Sequence, residues 1–359
     1  MKAAMITRSS LRRFRGGDTI QVEQTALALS RLGIDAEIRM ADEVIDYSKY
    51  DLLHFFNLVR PADILKHVQL SRKPFVLSPV FVDYSAFDKK HRKGISGSVF
   101  RMFSAGMNEY MKTVFRWIRG NDEIVSKSYL WKGHRASMKM IANKAATFLP
   151  NSTMEMESVR QYFKKDFPYT VVPNGVDPLI FRKNDTIQRD NKLVICVARI
   201  EGIKNQLNLV KALNNTEYTL VLIGATSPNQ QSYLKRIKSV AAGNIHFTGA
   251  LPQFEIMEYY QRAGVHVLPS WFETCGLSSL EAAATGCPVV ITDMGFTRDY
   301  FGDHAHYCNP EDPASILQAV ESAAGSSADA ALAEIINQQF TWQQAAKATA
   351  AAYHQILET

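Results

Sequence analysis

The chain has little of what exports, cross-links or anchors a protein. Its 359 residues hold four cysteines (Cys196, Cys275, Cys287 and Cys308), and none stands in a C-x-x-C or Cys/His ligand spacing. That excludes a disulfide scaffold and a zinc knuckle, and the set reads as reduced, buried thiols. No uninterrupted run of 18 apolar residues occurs, so no membrane-spanning helix is expected. Met1 to Ile6 reads as a strand rather than a leader, which predicts a cytoplasmic protein, at most peripheral on the inner face of a membrane. Neither a solenoid-length repeat nor a low-complexity tract is present, excluding stacked-repeat architectures. Charged residues make up only 21% of the sequence and apolar ones 46%, which excludes extensive disorder and supplies enough material for packed cores.

What is present divides naturally in two. A length of 359 residues suits two domains of roughly 170 residues each. Short apolar strands alternate with helical stretches through both halves, the rhythm of parallel, doubly wound α/β sheets. In the first half, strands are predicted at Met1 to Ile6, Ile34 to Ile38, Leu52 to Phe56, Phe75 to Leu77 and Ala146 to Leu149. Asp18 reads as the N-cap of a helix carrying Val22, Ala26, Leu29 and Leu32. A boundary is expected near Phe167 to Tyr169, followed by a strand over Thr170 to Val172. Five further strands are predicted at Leu193 to Ala198, Tyr218 to Ile223, Ile245 to Phe247, Val265 to Leu268 and Val289 to Thr292. The Ala-rich stretch from Ala323 to Ala352 reads as helix, and a last helix is expected from Thr341 to Leu357. The expected division is therefore 1–168, 169–340 and a terminal helix, 341–359. In such sheets ligands bind beyond the carboxyl ends of the strands.

The net charge of +6 is uneven. Between Lys89 and Lys139 twelve Lys or Arg residues face three acids, interleaved with Phe100, Phe103, Tyr110, Phe115, Trp117, Tyr129 and Trp131. This mixture suits a surface on anionic lipid or an acidic lipid-linked ligand. Solvated helices are the plain alternative, and nucleic-acid binding the least favoured one.

The most informative string runs from Pro269 to Thr292. Glu273 and Glu281 are separated by seven residues. Leu277, Leu280 and Ala284 mark one face of a short helix beginning after Gly276, and Gly286 ends it before a strand. A Gly-led helix start offers free backbone N–H groups of Gly276, Leu277 and Ser278 to an anion such as a diphosphate. Carboxylates on either side of it would suit a ribose and a sugar. Arg199 follows a predicted strand directly, with Lys204 five residues on, a forked and a compact cation for a departing diphosphate.

The whole string resembles the retaining glycosyltransferases of family 4, glycogen-synthase-like enzymes whose E-x7-E signature stands here as Glu273 to Glu281. The resemblance runs over nearly the whole chain, strongest from Val171 to Tyr307. It implies a GT-B fold, two Rossmann-like domains facing a central cleft, with the terminal helix returning to the first domain. It also implies transfer of a sugar from a UDP- or GDP-sugar to a glycan or lipid-linked acceptor in surface-polysaccharide assembly. By the resemblance Arg199 and Lys204 hold the donor diphosphate, Glu281 the ribose and Glu273 a sugar hydroxyl. Phe247, Gly249 and Leu251 fall in the loop that meets the nucleobase, and Asp299 stands where the family often has a glutamate. Gly16 and Gly17 match the first-domain glycine loop. Asp18, Gln21, His54 and Asn57 are acceptor-side candidates, His54 being as readily a structural residue. Where many members carry a histidine near the reacting sugar, this chain has Ser78-Pro-Val-Phe-Val-Asp-Tyr84, leaving Asp83 as the nearest polar candidate. No Asp-x-Asp occurs, so no metal or other cofactor is expected. A nucleotide-sugar epimerase on the same architecture and a non-catalytic sugar-nucleotide scaffold are the rival readings.

Overall fold

The computed structural model describes residues 1–11, 16–82, 105–118, 124–326 and 330–358. They form two compact units, one of Met1–Pro173 with Trp342–Thr359, the other Asn174–Thr341.

The first unit is built on five parallel strands, β1 (Lys2–Thr7), β2 (Asp35–Met40), β3 (Leu52–Phe56), β4 (Phe75–Ser78) and β5 (Thr147–Phe148), in the order β2-β1-β3-β4-β5. Every residue of β3 and β4 is buried, His54 and Ser78 included, as in a parallel sheet covered on both faces. The helices are α1 (Gly17–Arg31), α2 (Pro61–Leu70), α3 (Ala105–Ile118), α4 (Tyr129–Lys132), α5 (His134–Lys144) and α6 (Thr153–Phe163). α1 turns Val22, Ala26 and Leu29 to the core.

The second unit carries β6 (Asp190–Val197), β7 (Thr219–Ile223), β8 (Ile245–Gly249), β9 (Ala263–Leu268), β10 (Val289–Thr292) and β11 (His306–Cys308). Its helices are α7 (Gln206–Leu213), α8 (Gln231–Lys238), α9 (Gln253–Arg262), α10 (Leu277–Ala284), α11 (Arg298–Phe301), α12 (Pro313–Ala324) and α13 (Ala330–Gln339). The sheet order is β11-β10-β9-β6-β7-β8, all parallel. The chain winds outward from β6 through β7 to β8, then returns to lay β9 on the opposite side of β6. That reversal is a topological switch point, where the loops leaving β6 and β9 diverge and open a crevice.

Several local expectations shift for identifiable reasons. Gly16, not Asp18, is the N-cap of α1, because the Thr19 hydroxyl accepts the Gly16 N–H at 3.1 Å and starts the helix two residues earlier. The division lies at Pro173 rather than near Tyr169. Phe148 N–H donates to Pro168 O at 2.9 Å, Thr170 N–H to Phe148 O at 2.9 Å and Val172 N–H to Pro150 O at 2.8 Å, which keeps that segment on the first sheet. Thr170 to Val172 is therefore not a strand, and a single bridge, Phe148 to Tyr169, replaces it. The last helix falls where it is expected, but the Ala-rich stretch before it is broken. α12 stops at Gly325, and α13 is separated from α14 (Trp342–Leu357) where Val176 N–H takes the carbonyl of Phe340 at 2.9 Å. α14 packs on α1 within the first unit.

All four cysteines are free and buried, and burial pushes each thiol up to about 12. No helix among the described residues is long and apolar enough to cross a membrane.

Candidate active site

The second unit brings Arg199, Lys204 and Glu273 to the loops at the switch point. Arg199 and Lys204 leave β6; Glu273 leaves β9 and precedes α10. Trp271 N–H donates to Ile203 O at 2.9 Å and ties the two loops together. Lys204 Nζ is ion-paired with Glu273 Oε1, and Ser270 Oγ donates to the same oxygen at 2.6 Å. Glu273 is buried, 6% exposed, so this pairing offsets the cost of sequestering its charge. Arg199 is half-exposed and its guanidinium is ion-paired with Glu201 Oε1 at 3.0 Å.

Backbone positions complete the loops. Asn205, left-handed at φ 56°, buries its side chain and donates to Pro269 O at 3.1 Å and Pro310 O at 2.7 Å, clamping the turn behind Lys204. Gly295, at φ 117°, lies so close to Glu273 that a Cβ would sit 1.9 Å from the Glu273 carbonyl oxygen. The two segments exchange backbone hydrogen bonds, Glu273 N–H to Met294 O at 3.0 Å and Phe296 N–H to Glu273 O at 2.9 Å. Gly224 does the same for the other loop, a Cβ there falling 2.0 Å from Ala198 O, one residue before Arg199. Only glycine permits either approach.

Gly276 is the left-handed N-cap of α10, leaving the Leu277 and Ser278 N–H groups without intrahelical acceptors. Glu281, inside α10, accepts from Tyr260 Oη at 2.9 Å. Burial pushes its carboxyl up to about 7, only partly offset by that hydrogen bond. Phe247 and Gly249 end β8, with the Lys238 ammonium 5.4 Å from the Phe247 ring centre and Leu251 just beyond. Asp299 sits in the short α11, its N–H donating to Phe296 O at 3.2 Å.

The first-unit candidates are less uniform. Gly16 and Gly17 open α1, and Asp18 is held by Arg8 at 2.6 Å. Gln21 is buried and donates to Asn151 Oδ1 at 2.7 Å. His54 has both ring nitrogens engaged, Nδ1 with Tyr353 Oη and Nε2 with Ser78 Oγ, each at 2.8 Å. Burial pushes its imidazole down to about 3, so it is a neutral, satisfied core residue with no nitrogen left for a ligand. Asn57 differs. It is left-handed at φ 71°, beyond the end of β3, and its buried Oδ1 has no hydrogen-bond partner among the described residues. Val80, beyond β4, is left-handed too, at φ 42°, an uncommon state for a β-branched residue. Glu155 braces this edge, accepting from Phe81 N–H at 2.6 Å and Asn151 N–H at 2.5 Å. Strain held at adjacent strand ends is a mark of ligand sites. Asp83 lies outside the described residues.

Residues 179–339, within the second unit, match the family model described as glycosyl transferases group 1. Over that segment the chain is similar to the group 1 glycosyl transferases. It is 30% identical over 200 residues to a glycogen synthase of Mycobacterium tuberculosis, a stretch covering 51% of this chain and 48% of that protein. The chain thus spans about half the length of the curated relative it matches. Among solved structures, a sucrose-phosphate synthase from Thermosynechococcus elongatus superposes with a TM-score of 0.78 at 16% identity, over 100% of this chain and 99% of that one. HepE of Anabaena, solved with UDP and glucose, superposes at 0.72 and 15% identity over 99% and 100%. The fold is GT-B.

Sequence reasoning did not single out Ser270, Asn205, Tyr260, Gly224 or Gly295. Two of them carried a local signal: Asn205 follows a Gly-x-Lys turn, and Gly224 directly follows an apolar strand. For Tyr260, Ser270 and Gly295 only the fold reveals the partner.

Proposed function

We propose that the chain is a retaining glycosyltransferase that moves a sugar from a UDP- or GDP-sugar to a glycan or lipid-linked acceptor in surface-polysaccharide assembly. The observation that carries this reading is the switch-point cluster of Lys204, Glu273 and Ser270, joined by Arg199 and leading directly into the N-terminus of α10. In the proposal Arg199, Lys204 and the Leu277 and Ser278 N–H groups receive the diphosphate. Glu281 takes ribose hydroxyls, and Glu273 a hydroxyl of the sugar. The nucleobase meets Phe247, Gly249 and Leu251. The bond between the anomeric carbon and the β-phosphate oxygen breaks as the acceptor oxygen attacks from the same face, and the acceptor proton passes to the departing phosphate. Preorganised cations stabilise the charge that develops on that phosphate, each worth about 2–4 kcal/mol of barrier, so no metal is required.

The first unit is proposed to receive the acceptor near Gly16, Gly17 and Asn57, with Asp18 and Gln21 shaping the loop. A lipid-linked acceptor would bring the chain to an anionic membrane surface, and the basic segment 89–139 is the proposed contact.

Donor hydrolysis and transfer across a panel of UDP- and GDP-sugars, with anomeric configuration read by NMR, tests the reading. Transfer with retention, abolished in Glu273→Ala, is expected. Inverted product, or unchanged turnover in that variant, refutes it.

A further inference from the structure

At the carboxyl ends of α9 and α10 stands a side chain that the proposed reaction does not use. Arg189, just before β6, is half-buried with its guanidinium on three backbone carbonyls. Nη1 donates to Tyr260 O at 2.7 Å and to Ala263 O at 2.9 Å, and Nη2 donates to Thr285 O at 2.6 Å. Ala263 caps α9 and Thr285 caps α10, so these are carbonyls that helix ends leave without intrahelical donors. Two negative helix ends thus converge on one cation. The groups that act on its charge include no carboxylate; what holds it is the pair of helix ends.

The clamp bears on Glu281 by a short route. Tyr260, whose carbonyl Arg189 takes, is fully buried and donates its hydroxyl to Glu281 Oε2 at 2.9 Å. Thr285 lies four residues beyond Glu281, roughly 6 Å or one turn along the helix axis. The Thr285 hydroxyl sits between Ala282 O at 2.7 Å and Tyr260 O at 3.3 Å, a second tie between the two helices. One guanidinium therefore fixes both the residue that donates to Glu281 and the helix that carries Glu281. Capping alone would need one helix end; joining two sets the distance between Tyr260 and Glu281.

We propose that Arg189 is a positioning residue of the donor site, joining α9 to α10 so that Tyr260 holds the Glu281 carboxylate where it takes ribose hydroxyls. This rests on Glu281 binding the ribose, as proposed above, and adds a residue that acts on that contact only through others.

The test is titration calorimetry on the full chain with UDP and GDP, their 2′,3′-dideoxy counterparts and inorganic pyrophosphate. The dideoxy nucleotides lack the hydroxyls that Glu281 takes, and pyrophosphate meets only the diphosphate-binding groups. Charge-assisted hydrogen bonds are worth about ten- to a hundred-fold in affinity, so Arg189→Ala should bind the ribonucleotide about ten-fold more weakly. Its affinities for the dideoxy counterpart and for pyrophosphate should be unchanged. Arg189→Lys keeps the charge but not the fork; it should fall between the two and is the variant to read where Arg189→Ala does not fold. Tyr260→Phe should lose as much as Arg189→Ala, and the double variant no more than either alone. Equal losses on all three probes would make Arg189 a fold staple and overturn the proposal. Additive losses in the double variant, or an unchanged ribonucleotide affinity in a folded Arg189→Ala, would overturn it too. A parent chain that binds neither nucleotide, or binds ribose and dideoxyribose forms equally, would sink the ribose reading instead. The clamp is then read from unfolding midpoints, where Arg189→Ala and Glu281→Gln must be non-additive, and additivity overturns it.

Discussion

Replacing Gly295 with alanine should disable the proposed transferase while leaving the chain folded. The alanine Cβ would stand 1.9 Å from the Glu273 carbonyl oxygen, whereas contacts under 3.0 Å essentially never occur, so the two segments must part by at least 1.1 Å. Glu273 is bonded to this segment on both sides, through Met294 O and Phe296 N–H, and cannot stay in place while it moves. A displacement of about 1 Å at a positioning group typically costs about a hundred-fold in rate. The φ of 117° adds a backbone penalty of about 1–3 kcal/mol to stability. Gly302→Ala separates the two effects. Gly302 is also left-handed, at φ 49°, but a Cβ there meets nothing within 4 Å. Thermal unfolding and donor turnover measured on both variants should show a lowered midpoint in each and a lost turnover only in Gly295→Ala. Full turnover in a folded Gly295→Ala would refute the claim that this backbone contact sets Glu273.

Lys204→Ala should lower turnover about a hundred- to a thousand-fold, the usual cost of one preorganised charge-stabilising group, with EDTA harmless to the parent enzyme; strict dependence on added Mg²⁺ would sink the metal-free mechanism. Glu281, raised from its usual 4.5 to about 7, holds its proton longer in the folded chain, so its contribution to stability is present at acid pH and lost as pH rises from 4.5 through 7. Glu281→Gln should therefore gain in unfolding midpoint relative to the parent between pH 5 and pH 8, and a parallel shift of both proteins would contradict this. Tyr260→Phe removes the hydrogen bond that favours the carboxylate and should push Glu281 higher still. The acid limb of kcat/KM for the donor is then expected to move to higher pH with little change in kcat. Asn205→Ala strips the hydrogen bond from the buried Pro269 carbonyl, at about 1–3 kcal/mol, while Pro310 O keeps its bond from Asn208 Nδ2 at 2.9 Å; urea denaturation reads the loss.

The motif from Pro269 to Thr292 was legible because its information is local. A glycine that starts a helix, an apolar face at i, i+3 and i+7, and a Gly-Cys-Pro exit into a strand are each written in consecutive residues. The same holds for the alternation of strands and helices and for most strand positions. The misreadings have a common cause. Asp18 looked like a cap because its side chain suits one, but the Thr19 hydroxyl outcompeted it. The Ala-rich stretch looked like continuous helix because alanine favours helix everywhere, and nothing local shows that Phe340 must pair with Val176. His54 stood undecided until Tyr353, 299 residues away, and Ser78 filled its ring nitrogens.

By itself the sequence determined the class of architecture, the donor-side motif and its candidate residues, since backbone propensity, periodicity and charge act over neighbouring positions. Only the tertiary structure decided which loops meet. The order β9-β6-β7 is set by how six strands bury both faces of one sheet, and it brings residues from position 199 and position 273 to the same crevice. There a glycine at 295 has to yield space to a glutamate at 273, and the carboxyl at 281, raised by burial, takes its hydrogen bond from a tyrosine at 260. Close packing makes these demands, and a linear chain has no place to record them.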